Sequence, residues 1–142
     1  MRDRPVSDVI RHRRPVALRP TATVKEASER MRDERVGAVL VTDAEERLLG
    51  IFTGRDAICR VLAQAKRAEG TKLTEVMTHG VATLPPGASA MDALRLMQDG
   101  GFRHVPVTTE GGRVVGVVSR GDFRALEHTR LDDETFVFEV LR

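Results

Sequence analysis

The sequence predicts a mixed α/β protein of the α+β kind, made of two tandem β-α-β-β-α repeats packed as a pseudo-two-fold pair. Three observations carry that prediction. The stretch Gly50-Ile51-Phe52-Thr53-Gly54-Arg55-Asp56 recurs 66 residues later as Gly116-Val117-Val118-Ser119-Arg120-Gly121-Asp122. The same spacing aligns Pro20 with Pro86, Thr23 with Ser89, Ala27 with Ala93, Met31 with Met97 and Val41 with Val107, so the duplication runs upstream without a gap. In both copies a helix-start signal precedes two short apolar runs. The 142 residues suit one compact unit, and each half alone is too small to bury much core, so the halves share an interface.

Each element has a local reason. Thr23-Val24-Lys25-Glu26 and Ser89-Ala90-Met91-Asp92 have the hydroxyl-x-x-acid form of a capping box and start a helix in each copy. Val24, Ala27 and Met31 in the first, and Met91, Leu94 and Met97 in the second, recur at helical spacing, and the helices end near Glu34 and Gly100. Ala38-Val39-Leu40-Val41 and His104-Val105-Pro106-Val107 are short, β-branched strands, and Pro106 places the second at a sheet edge. Leu48-Leu49-Gly50-Ile51-Phe52 and Val114-Val115-Gly116-Val117-Val118 are continuous apolar runs, hence buried strands. A second helix follows in each copy, over 55–67 and 121–128. The first repeat then spans 5–67, a joint 68–72, the second repeat 73–128, and a C-terminal segment 129–142.

Composition excludes several classes. Hydrophobic residues at 41 % and charged residues at 31 % are incompatible with disorder, and apolar runs of about five residues are far too short to span a bilayer. The opening residues lack the apolar core of a signal peptide, so a cytoplasmic protein without membrane partners is expected. The 23 Lys and Arg against 21 Asp and Glu leave a net charge of only +2, despite a pI near 9.2. With five Phe and neither Trp nor Tyr, the stacking surface of a nucleic-acid reader is nearly absent. Cys59, the single cysteine, lies beside Ile58, Val61 and Leu62 and reads as a buried packing residue.

A β-α-β-β-α unit, doubled, with Gly-apolar-apolar-Thr/Ser-x-x-Asp at the strand-to-helix junction and Arg103-His104-Val105-Pro106-Val107 as its strand, resembles the CBS domain pair, or Bateman module. The resemblance covers about residues 5–127. It implies a sensor without catalysis or a required cofactor, binding AMP, ADP, ATP or S-adenosylmethionine in clefts between the copies, and dimerising. It implies ribose binding by Asp56 and Asp122 with Thr53 and Ser119, since a carboxylate accepts strong hydrogen bonds from a diol. Phosphates fall to Arg103, Arg55, Arg120 and His104, and adenine to Val16, Val36, Val81, Ala82 and Phe102. Gly37 stands in the first copy where the second has Arg103, so the cleft built on Asp122 is expected to hold phosphates more tightly.

Capping alone would also explain Thr53, Asp56, Ser119 and Asp122. A ligand-free dimeric adaptor is therefore the competing reading, with nucleic-acid binding through the N-terminal arginines a weaker third. The four histidines, His12, His79, His104 and His128, have no zinc spacing, and neither a nucleophile elbow nor a P-loop occurs. Residues 1–19 are arginine-rich and residues 127–142 acidic; short charge runs of this kind read first as solvated faces, and the alternative is pairing of the ends or steering of a partner. Phe136-Val137-Phe138-Glu139-Val140-Leu141 is too apolar for a free tail and is expected to dock on the core or on a second subunit. The ligand's identity and the regulated protein are not legible.

Overall fold

A computed structural model describes residues 3–11 and 13–123. In chain order the elements are α1 Val6–Val9, β1 Ala17–Leu18, α2 Val24–Glu34, β2 Ala38–Thr42, β3 Leu48–Thr53 and α3 Gly54–Asp56, which runs into a π-helix, Ala57–Leu62. A 3-10 turn Ala68–Gly70, α4 Leu73–Val76, α5 Ala90–Gly100, β4 His104–Thr108, β5 Val114–Ser119 and a 3-10 turn Arg120–Asp122 complete them. The α+β order expected from the repeat is observed, with a helix followed by an antiparallel strand pair in each copy.

The two long helices form for the reasons read from the sequence. The Glu26 amide donates to Thr23 Oγ1 at 3.1 Å, and Arg35, in the left-handed region at φ 55°, ends α2. At α5 the box is complete. The Asp92 amide donates to Ser89 Oγ at 3.0 Å, the Ser89 amide donates to Asp92 at 3.2 Å, and Gly101 at φ 71° closes the helix.

β2 and β3 pair antiparallel, as do β4 and β5 in the same register. β1 adds a parallel third strand to the first sheet, where the Leu40 amide donates to Val16 O at 2.8 Å. In the second copy Pro106 occupies the position of Leu40 and has no N–H to donate. There the corresponding strand shrinks to one parallel bridge, Leu84 to Val107, and the sheet has two strands.

The cores cross between the copies. Val6 and Ile10 pack with Met91, Leu94, Met97 and Val105 of the second copy, and the Val6 amide donates to Ala88 O at 2.8 Å. Reciprocally, Leu73, Val76 and Met77 pack with Val24, Val39 and Phe52 of the first copy, and the Leu73 amide donates to Ala22 O at 2.9 Å. Each short N-terminal helix thus docks on the opposite half. Between the sheets, Ala38, Leu40 and Ile51 meet Val81, Val114 and Val117. β2 is buried along its length because its alternate faces serve the helix core and this inter-sheet layer.

Two expectations need correction. The helix expected over 55–67 is shorter: the π-helix ends at Leu62 and the chain turns at Ala65, φ 55°. Cys59 is exposed rather than packed, with Ile58 and Leu62 beside it 61 % and 72 % exposed, and only Val61 of that group buried. The wide turn explains this. The Ala63 amide donates to Ile58 O at 2.8 Å, five residues back, so the apolar positions leave the 3.6-residue phase that would have turned them inward. The helix expected over 121–128 beyond Phe123, the segment 129–142 with its docking, and the acidic end lie outside the described residues. Among the described residues no helix is long and apolar enough to cross a membrane.

Candidate functional site

β3 delivers Thr53 and α3 delivers Asp56, the residues of the junction motif. Thr53 caps the helix in both directions: the Asp56 amide donates to Thr53 Oγ1 at 3.3 Å, and the Thr53 amide donates to Asp56 Oδ2 at 3.0 Å. The capping expected of these residues is therefore real. Asp56 is 7 % exposed, and its carboxylate has further partners. It accepts from Thr53 Oγ1 at 3.1 Å and from Thr78 Oγ1 at 3.2 Å, with Arg60 Nε at 3.5 Å. Arg60 also donates to Met77 O at 3.0 Å, so it ties the π-helix to the segment that crosses from the second copy. Among the described residues no buried side-chain nitrogen or oxygen lacks a partner.

Between the copies lies a cleft of about 980 Å³. From the first copy Thr53, Arg55 and Asp56 line it; from the second come Val81, Ala82, Phe102, Arg103 and His104. Gly37 lies in its wall, and a Cβ there would stand 3.1 Å from His104 Nε2. Arg55, Arg60 and Arg103 line it with a single carboxylate, Asp56, to which Arg60 is paired, beside the apolar Val81, Ala82 and Phe102. That arrangement suits a ligand with an anionic end, a hydroxyl-bearing middle and a flat apolar face. Burial holds the His104 imidazole below its ordinary value; the charge of Asp122 opposes this and that of Arg103 reinforces it. His104 therefore enters the cleft as a neutral ring at neutral pH.

The structure regroups the candidates. Arg103 and His104, read with Asp122, also line the cleft of Asp56; they stay beside the Asp122 motif too, where the Arg120 amide donates to Arg103 O at 3.0 Å and His104 pairs with Ser119. Ser119, Asp122 and Arg120 lie outside the cleft lining, Val16 is buried in the first core at 4 % exposure, and Val36 stands 39 % exposed. Asp122 is engaged by Arg13, whose Nη1 and Nη2 donate to Oδ1 at 2.7 Å and Oδ2 at 3.1 Å, while the Ser119 amide donates to Oδ2 at 2.6 Å. Burial pushes the Asp122 carboxyl up, but these donors outweigh it and hold it below the ordinary range.

Arg60, Thr78 and Arg13 were not read as site residues. Arg60 was accessible in principle, one helical turn from Asp56. Thr78 and Arg13 reach across the copies, and no local pattern marks them.

The sequence family of the CBS domain matches residues 6–62 and again 73–128. Among curated proteins, an Arabidopsis thaliana CBS domain-containing protein is 40 % identical over 98 residues, 69 % of this chain. The chain spans 18 % of that relative's length and 64 % of that of an uncharacterised Methanopyrus kandleri protein, 29 % identical. Among solved structures, a CBS domain protein from Pyrobaculum aerophilum complexed with AMP is 26 % identical at TM-score 0.81, covering 92 % of this chain and 99 % of that one. A CBS domain pair solved with 5′-methylthioadenosine and S-adenosyl-L-methionine is 26 % identical at TM-score 0.76, covering 84 % and 95 %.

Proposed function

Because this chain belongs to the CBS-domain family and carries two CBS domains in tandem, we propose that it is a regulatory module that binds an adenosine-containing ligand in the cleft between the copies. The observation that carries the reading is the meeting of Thr53 and Asp56 from one copy with Phe102, Arg103 and His104 from the other in one cleft. A ligand there touches both halves, and can shift their arrangement by as much as its affinity differs between the two states. Asp56 takes the ribose hydroxyls, Phe102 with Val81 and Ala82 takes the base, and Arg55 and Arg103 take the phosphates. Three guanidiniums against one carboxylate favour AMP, ADP or ATP over S-adenosylmethionine, whose sulfonium is a cation. Support comes from the two similar structures, one solved with AMP and the other with 5′-methylthioadenosine and S-adenosylmethionine.

The exposed Ile58 and Leu62, on the helical segment that follows Asp56, support association with a second copy or a regulated protein. The completed capping boxes favour a second reading, in which the module is a ligand-independent adaptor and Thr53 and Asp56 serve only the fold.

Calorimetric titration with AMP, ADP, ATP and S-adenosylmethionine separates the two. Wild type is expected to bind the phosphate-bearing nucleotides and Asp56→Ala to bind them at least about thirtyfold more weakly, the scale of one or two hydrogen bonds to a charged acceptor. Asp56→Asn, which retains an acceptor for the cap, controls for folding. Absence of binding by wild type, or equal binding by a folded Asp56 variant, rules out the nucleotide reading.

A further inference from the structure

The two junction carboxylates are repeat counterparts but have different partners. Around Asp56, apart from the capping amide, the closest donors are the hydroxyls of Thr53 and Thr78, with the Arg60 guanidinium farther off, at 3.5 Å and through one nitrogen only. A hydroxyl rotates, donates and accepts, so it can yield its place to a diol and remain bonded. Around Asp122 the place is taken by the two-pronged guanidinium of Arg13, which fills both oxygens at 2.7 and 3.1 Å. Arg13 Nη2 also donates to Val9 O at 3.2 Å, so the fork is held from behind. A guanidinium has only donors and keeps its charge at all accessible pH. The loop that carries it joins α1, docked on the second copy, to β1 in the first sheet, so Arg13 spans the two halves.

We propose that Arg13 is an internal competitor for the Asp122 side of the module, making the two sides unequal: the Asp56 cleft takes a nucleotide first, and a second nucleotide binds only by displacing Arg13. The inference rests on the reading of these clefts as adenosine sites. It names the residue that sets how many ligands one chain holds. The Arg13 side chain is 47 % exposed, so the closure is conditional and yields at high ligand concentration.

Calorimetry with AMP on the intact chain tests it. Wild type is expected to show one strong event per chain. Arg13→Ala is expected to show a second event, tightened at least about tenfold over any second event of wild type, as loss of a charge-assisted competitor implies. That event disappears again in Arg13→Ala combined with Asp122→Ala. Arg13→Lys, with the charge but not the fork, falls between, and carries the test should the alanine variant not fold. Unchanged stoichiometry and affinity in folded Arg13→Ala and Arg13→Lys overturn the proposal. When wild type still binds in an Asp56-dependent manner, only the Arg13 inference falls; when neither wild type nor Arg13→Ala binds AMP, the adenosine reading falls with it.

Discussion

At Gly50 an added Cβ would stand 2.8 Å from both Met77 Sδ and the Thr78 carbonyl oxygen. That carbonyl accepts from the Ile51 amide at 3.0 Å and cannot swing away. At its counterpart Gly116 the three nearest atoms, Ile10 Cδ1 at 2.6 Å, Cβ at 3.1 Å and Cγ2 at 3.2 Å, all belong to one side chain and none to backbone. Gly50→Ala is therefore expected to cost about 1–3 kcal/mol, the usual scale of overpacking, and Gly116→Ala less. Thermal melts of the two variants check this, and a Gly116→Ala variant that melts at or below Gly50→Ala would contradict the packing described. The glycine of the Gly-apolar-apolar-Thr/Ser-x-x-Asp motif was visible in the sequence as a repeated residue. Its cause was not, because the backbone that crowds it arrives from the other copy. Thr53 and Asp56 were legible for the opposite reason: their capping bonds are three residues long.

Elements with a local cause were the most legible. α2 and α5 stop at Glu34 and Gly100, where the sequence ended them, since caps, stripe and terminating residue all act within one turn. The loss of a third strand beside β4 also traces to one residue, Pro106. The helix after Asp56 was misread because periodicity assumes 3.6 residues per turn, and the π-turn changes the phase. Its result is an exposed Cys59 in the cleft lining. We expect Ellman's reagent to modify Cys59 fully in the folded protein, and saturating AMP to slow that reaction. A thiol that reacts only after denaturant is added would contradict the exposed π-helix.

At the scale of the whole molecule, the repeat announced two similar halves but not their exchange. Val6 and Leu73 carry equally apolar helices, and nothing local tells either on which half to dock. The site inherits that ambiguity. Sequence matching assigned Arg103 to the motif of its own copy, where its carbonyl accepts from the Arg120 amide; that it also lines the cleft of Asp56 depends on how the halves cross. The lining of the cleft is drawn from both halves: Asp56, Arg55 and Arg60 come from the first, and Phe102, Arg103 and His104 from the second.

The most direct test is a crystal structure of the protein grown with AMP. The expected result is AMP in the cleft between the copies, its ribose hydroxyls on Asp56, its base against Phe102, its phosphate toward Arg103, and Arg13 still on Asp122. AMP seated first at Asp122 with Arg13 displaced and the Asp56 cleft empty, or AMP bound away from both, would contradict it.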